Sequence, residues 1–598
     1  MLAHFRLRRS LVAVALVLAA VAAHPDRASA VEGESSDIEK VVRLTIRGQV
    51  RDADGAPALF GGAAGVHLRD IVAGIRAAAA DPETWGVVIR IQSPNVGWTQ
   101  AQAIRRALLE FRASGKPSFC HLRTGSIAEY LIGSACSEVS ILPSGVLEIP
   151  GVSAGSLYLG DLLSKLGIRM QELRMGRYKS AAESLVRNGP SDASREQIEA
   201  ILDDRFDELV DAIAENRKLI NASVRALIDK GLFLPEEALE AKLVDRIEFE
   251  DELVARVTHA VGGARPLVEA RFGKEALKIG TGMAGFMTLV NQLFSGPSQK
   301  ETASEPRIAV IEGVGAIVTG SATGDVFGGA VMASDAIVSA FREARADDSV
   351  RAIVFRVNSP GGSAIASDLI WRAVKETSRE KPVVVSMGDY AASGGYYVSC
   401  AANWIVAEPG TLTGSIGVIG VLPDLSELFE KVGIRATFFH RGRRAGAIDP
   451  TGRLTDDGKE MLDRYMRSIY DVFLSRVAEG RKLPVDAVAA IAEGRVWTGK
   501  RAKELGLVDE LGGVEKALEH ARKLAKLPEG CDLLILPRPV TLFELLSRMD
   551  VSVGALPWRT LTASLPDVVR PVLRDLEWLR SAGEERVFLV APTITISP

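Results

Sequence analysis

Residues 75–94, IRAAAADPETWGVVIRIQSP, come back as residues 341–360, FREARADDSVRAIVFRVNSP, without a gap and 266 positions later. Each stretch passes from a helical pattern through an acidic turn into an apolar run that stops at Ser-Pro. Val87-Val88-Ile89 and Ile353-Val354-Phe355 are the continuous apolar runs expected of strands buried on both faces of a parallel sheet. The same offset recurs outward from this pair. Pro143 matches Pro409, Gly151 matches Gly417, Lys165 matches Lys431, Gly167-Ile168-Arg169 matches Gly433-Ile434-Arg435, and Gly176 matches Gly442. Only a one-residue shift between Lys116 and Pro143 is needed. A period this long marks a duplicated domain. Two α/β copies are expected at residues 40–265 and 305–535, with a connector at 266–304 and a tail at 536–598. In the later copy residues 381–386 read as a second strand and 391–401 as a helix opening on small residues. Residues 196–215 and 456–479 read as long amphipathic helices.

Composition bounds the rest. A chain of 598 residues is too long for one core, which agrees with the duplication. It is 47% hydrophobic and 25% charged, as globular proteins are. A net charge of −4 gives no reason to expect nucleic acid, and the short run Arg441, Arg443, Arg444 reads as a solvated loop. The four cysteines, Cys120, Cys136, Cys400 and Cys531, lack metal-ligand spacing, and no histidine lies two to five residues from any of them. Neither a metal nor a cofactor is expected. Cys120 and Cys136 permit a disulfide in an oxidising compartment, though buried free thiols suit them better. At the start, Arg6, Arg8 and Arg9 precede an apolar run of thirteen residues, 11–23, and Ala28-Ser29-Ala30 reads as a cleavage site. The run is short of the roughly 20 residues a spanning helix needs. Residues 1–30 therefore read as a signal peptide, with an uncleaved signal anchor as the alternative, and the body of the chain is expected to be exported.

Three glycine motifs of the second copy point to acyl transfer. Asn358-Ser359-Pro360-Gly361-Gly362-Ser363 follows a strand, and paired glycines there allow a tight turn whose N–H groups face a substrate oxygen. Ala392-Ser393-Gly394-Gly395-Tyr396 presents a serine on a strand-to-helix turn with the positive end of the helix behind it. Thr411-Leu412-Thr413-Gly414-Ser415-Ile416-Gly417 is the third. No Walker lysine follows any of them, which argues against a nucleotide loop. Each is weak alone; their conjunction and order are specific.

At these residues the chain resembles the signal peptide peptidase A (protease IV) family, in its long form with tandem Clp-protease/crotonase-like domains. The resemblance extends to Gly176-Arg177-Tyr178-Lys179-Ser180, to Gly494-Arg495-Val496-Trp497-Thr498-Gly499 and to residues 505–513. It implies a serine peptidase in which Ser393 is the nucleophile and Lys179 the general base. Gly394 with the Gly361/Gly362 turn would form the oxyanion hole, and Ser415 would orient the lysine. It also implies a periplasmic, membrane-associated homo-oligomer, commonly a tetramer forming a bowl on the membrane surface. The substrates implied are cleaved signal peptides and other extended, apolar polypeptide. A crotonase-like acyl-CoA enzyme and a non-catalytic envelope scaffold are the competing classes.

The duplication bears on this assignment independently. At offset 266 Asn95-Val96 stand opposite Gly361-Gly362, Ile149 opposite Ser415, and Ala445 opposite Lys179; Ile127 or Ala128 stands opposite Ser393. The first copy thus lacks the nucleophile side and the second lacks the base, so one dyad shared between copies fits both losses. Ser126, without oxyanion glycines, reads as structural. A lysine near its ordinary pKa would be protonated and useless as a base, so burial between the copies is required. His440 is the competing base, although no carboxylate can be assigned to orient it.

Overall fold

The computed structural model describes residues 40–52, 66–260, 267–270, 305–320, 331–435, 437, 447, 453–537, 588–590 and 595–597. The N-terminal targeting segment, the Arg441–Arg444 run, His440 and Ala445 lie outside these residues.

Two eight-stranded sheets repeat one plan. In the first, the strands Lys40–Arg51, Thr84–Asn95, Ser118–Gly125 and Glu138–Glu148 run parallel in that order. In the second, Arg307–Val314, Val350–Ser359 and Val383–Ala392 do the same, followed by Trp404–Ala407 and Leu412–Gly414. Val87, Val88 and Ile89 are buried, as are Ile353, Val354 and Phe355, because helices cover both faces. The covering helices show why their sequences coil. Leu68–Ala80 buries Leu68, Ile71, Val72, Ile75 and Ala78, one stripe at helical spacing. Its counterpart Ser334–Ala346 buries Ile337, Ala340, Phe341 and Ala344, and Phe341 meets Phe355 edge to face at 5.1 Å.

The duplication extends to single side chains. Lys116 Nζ donates to the carbonyls of Ala78 and Asp81 at 3.1 and 2.6 Å; Lys381 Nζ donates to those of Ala344 and Asp347 at 3.0 and 2.7 Å. Tyr130 OH donates to Leu243 O, and Tyr396 OH to Leu507 O. The long helices are Asp192–Arg217 and Asp456–Arg481, each ending at a left-handed lysine, Lys218 and Lys482. Here the offset has fallen to 264, so the second copy is two residues shorter between the Gly176/Gly442 match and the long helix.

One local expectation needs revision. Ala391 and Ala392 end the strand Val383–Ala392, and the helix behind it is only Gly394–Ser399. Leu267–Ala270, expected in the connector, adds a parallel edge strand beside Lys40–Arg51. Phe588–Val590, from the tail, enters a third sheet. Cys120 and Cys136 are buried free thiols, the reading that suited their sequence context better than a disulfide.

That third, six-stranded sheet joins the copies. Arg169–Met175 of the first copy pairs antiparallel with Val418–Asp424 of the second, from Arg169 opposite Asp424 to Met175 opposite Val418. Among the described residues no helix is long and apolar enough to cross a membrane.

Candidate active site

Ser393 sits where the strand Val383–Ala392 breaks into the helix Gly394–Ser399. Its φ of 54° and ψ of −113° are uncommon for a residue with a side chain, and the surroundings must hold it there. Its N–H donates to Gly414 O at 2.8 Å, and its carbonyl accepts from Tyr397 N. The next residues have no room for side chains. A Cβ on Gly394 would come within 2.7 Å of Ser367 Oγ and 3.1 Å of Gly361 Cα, and one on Gly395 within 2.6 Å of Ser359 O. The Gly361–Gly362 turn is thereby pressed against the start of the helix, where the Gly394 N–H has no intrahelical acceptor. Gly361 donates its own N–H to Ser359 Oγ at 3.1 Å.

Lys179 arrives from the other copy. The cross-copy pairing of Arg169–Met175 delivers the chain to a turn at Gly176, whose φ is 111° and where a Cβ would lie 2.4 Å from Glu493 C. Tyr178 N then donates to Glu493 O at 2.8 Å, and Arg495 lies over the rings of both Tyr178 and Trp497. Gly494 completes the cradle: its φ is 75°, and a Cβ there would stand 2.6 Å from Lys179 Cβ.

So held, the Lys179 side chain is wholly buried. Its Nζ stands 2.6 Å from Ser393 Oγ, 2.9 Å from Ser415 O and 3.1 Å from Ser415 Oγ, within hydrogen-bond reach of all three. Desolvation pushes its pKa well below the usual lysine value. Ser415, at φ 51°, anchors its N–H on Arg495 O and its Oγ on Gly494 O at 3.3 Å.

All six residues singled out from the sequence, Ser393, Lys179, Ser415, Gly394, Gly361 and Gly362, thus meet at one place. The first copy holds Ile127 opposite Ser393, since the Tyr130/Tyr396 pair sets the offset there at 266. Ile127 is packed in the core, and Ser126 caps its own helix, its Oγ accepting from Glu129 N while its N–H donates to Glu129 Oε2.

Sequence reading missed a buried polar network behind the site. Asp52 of the first copy accepts from Arg356 Nη2 at 2.5 Å and from Asn358 Nδ2 at 2.7 Å, on the strand that leads to Gly361. Burial works to raise its pKa, but the Arg356 guanidinium and the hydrogen bonds bring it below the usual carboxylate value. Asp389, four residues before Ser393, accepts from both Thr99 N and Thr99 Oγ1 at 2.9 Å, in the first turn of the helix Trp98–Ala113. Burial, and then the Asp52 charge, raise the Asp389 carboxyl. The sequence signal was weak: Asp52 stands in Arg51-Asp52-Ala53-Asp54, a pattern that also suits a surface turn, and Asp389 follows Gly388 at the end of an apolar run.

Known proteins give this geometry a context. The profile of peptidase family S49 matches residues 110–262 and 375–528. The chain is 32% identical to "Serine protease SPPA, chloroplastic" of Arabidopsis thaliana over 86% of its length and 74% of that protein. It is 33% identical to "Protease 4" of Salmonella typhi, covering 87% of this chain and 81% of that one. Among solved structures, a ClpP1 mutant from Listeria monocytogenes is similar over 35% of this chain and 94% of its own, with 14% identity and a TM-score of 0.24. The fold and relatives define a serine protease built from two tandem α/β domains. The chain belongs to peptidase family S49.

Proposed function

We propose that this protein is an endopeptidase in which Ser393 attacks the peptide carbonyl and Lys179 takes its proton. The observation that carries the reading is the 2.6 Å approach of a wholly buried Lys179 Nζ to Ser393 Oγ. Hydrogen-bond accounting supports the direction of transfer. The one hydroxyl proton of Ser415 points to Gly494 O, so Ser415 Oγ and Ser415 O both accept from Nζ. A neutral amine spends its two N–H groups there, and its lone pair is left facing Ser393. Ser393 O–H then donates to Nζ, and the serine oxygen gains nucleophilic character. The carbonyl oxygen of the substrate, negative in the tetrahedral intermediate, would lie against Gly394 N–H and the Gly361–Gly362 turn. The lysine returns its proton to the leaving amine, and water attacks the acyl-enzyme by the same route.

We further propose extended, apolar polypeptide, cleaved signal peptides among it, as substrate, and the exported face of a membrane as the place of action. The basic and apolar start of the chain supports the second point. The test is hydrolysis of a fluorogenic leucine-rich peptide by wild type, Ser393→Ala and Lys179→Ala from about pH 6 to 10. Each variant is expected to lose about 10³-fold or more in kcat, and the double variant no more than the worse single one. The wild-type rate is expected to rise along one basic limb. Substantial activity in Lys179→Ala would move the base elsewhere, and tight binding of coenzyme A with no hydrolysis would favour an acyl-CoA enzyme.

A further inference from the structure

We propose that Arg495 is a positioning residue for the general base, a role that rests on the peptidase reading: its guanidinium, stacked on the loop that carries Lys179, keeps water off that amine and holds it on Ser393. Arg495 belongs to the second copy and Lys179 to the first. The Arg495 guanidinium carbon lies 4.7 Å from the centre of the Tyr178 ring and 4.6 Å from that of Trp497. Its Nη1 donates to Glu196 Oε1 at 3.0 Å and to the Tyr178 hydroxyl at 3.2 Å. That hydroxyl in turn stands 2.9 and 3.0 Å from the two Glu196 carboxylate oxygens, which share its proton. Glu196 sits near the start of the helix Asp192–Arg217 of the first copy. Trp497 is fixed on its own side: it stands opposite Thr413 in the sheet, and its Nε1 donates to Ile491 O at 3.0 Å.

An exposed ion pair by itself fixes little. A planar guanidinium that stacks on two rings and reaches two acceptors also fixes the direction of the loop it meets. The same residue works through its backbone. Arg495 O accepts from Ser415 N at 2.7 Å, and Ser415 Oγ is 3.1 Å from Lys179 Nζ. Arg495 therefore reaches the base twice, through Tyr178 beside it in the chain and through Ser415 beside its amine. The duplication separates this role from the needs of the fold. Phe233 pairs with Leu147 as Trp497 pairs with Thr413, which sets the offset at the 264 seen for the long helices. Gly231 thus stands where the second copy has Arg495. The first copy, with no nucleophile to serve, has no arginine there.

Burial alone lowers the Lys179 amine, so its titration reports how dry the site is. The other titratable and charged groups around the loop are Arg177, Glu196, Glu493 and Tyr470. The Tyr178 hydrogen bond, and then the charge of Arg495, hold Glu196 below its usual value, so it stays ionised throughout the assay range. Removing the guanidinium lets water reach the amine and raises its pKa. The experiment reads two things on the full chain. One is kcat/KM for the fluorogenic peptide from about pH 6 to 10, in wild type and Arg495→Ala. The other is the midpoint of the Lys179 amine by carbon-13 NMR of chain labelled at lysine Cε, its signal assigned by loss in Lys179→Met. In Arg495→Ala both midpoints are expected to rise by about one unit, a loss near tenfold at the acid end that closes toward the basic end. Unmoved midpoints, with or without an even loss of rate, would overturn the proposal and leave the peptidase reading standing. A raised amine midpoint, in a protein whose wild type hydrolyses nothing, would sink the peptidase reading while the packing role stands. Should Arg495→Ala not fold, Trp497→Leu, which removes one of the two rings, is read in the same way.

Discussion

Lys179 is the residue on which the most physics converges. Unfolded, its amine titrates near 10.5; in the fold, burial holds it well below that value. Between those two values the unfolded chain binds more protons than the folded one, so stability falls as pH falls through that window and is then constant. Lys179→Met removes this cost. It is expected to raise Tm at neutral pH by calorimetry, the gain shrinking as pH approaches 10.5. An equal Tm difference at pH 7 and pH 10.5 would count against a buried neutral amine. Gly494 is coupled to the same side chain. Gly494→Ala puts a Cβ 2.6 Å from Lys179 Cβ and forces a left-handed backbone that costs about 1–2 kcal/mol. Displacing the amine by even 1 Å is expected to lower kcat about 10²-fold. Ser415→Ala keeps the carbonyl acceptor and loses the two hydrogen bonds of Ser415 Oγ, to Lys179 and to Gly494 O; with the one to the lysine worth about 1.4 kcal/mol, a loss near tenfold is expected in the same assay.

At the scale of elements, the ends of two strands carry the site, and buried acids hold them. Asp52→Ala would leave Arg356 buried without its carboxylate, a change expected to cost about 3–5 kcal/mol in urea unfolding. A Cm no lower than wild type would show that the pair contributes nothing. These elements also mark how far sequence can be read. The strands around Val87-Val88-Ile89 and Ile353-Val354-Phe355 were legible because burial on both faces leaves an unbroken apolar run. The motifs at Gly361, Ser393 and Ser415 were legible because tight turns admit few residue types. The pairing of Arg169–Met175 with Val418–Asp424 was not, since its register depends on a partner about 250 positions away and neither strand is uniformly apolar. Phe588–Val590 is too short to announce a strand at all. Gly494 was seen only within a motif, because what demands a glycine there is a lysine from the other copy.

For the whole molecule, the two copies form one working unit through contacts that neither holds alone. Arg106 pairs with Glu408, Arg76 with Glu515, and Gln197 Oε1 accepts from Val496 N. Residues 31–270 and 305–598 made separately are expected to lack peptidase activity, because each carries only one member of the proposed pair. Co-expressed, the halves are expected to copurify and regain hydrolysis of the leucine-rich peptide. Activity in the 305–598 half by itself would place the base within the second copy.

The 214 positions between Lys179 and Ser393 have a consequence in time. A ribosome releases the lysine-bearing half first, while the serine is still unmade. The proposed pair can form only once the second half has emerged, folded and docked. A nascent chain is extended and apolar, the kind of polypeptide proposed as substrate, yet during synthesis it shares the cell with no finished active site of its own. Latency is written into the order of the genetic message.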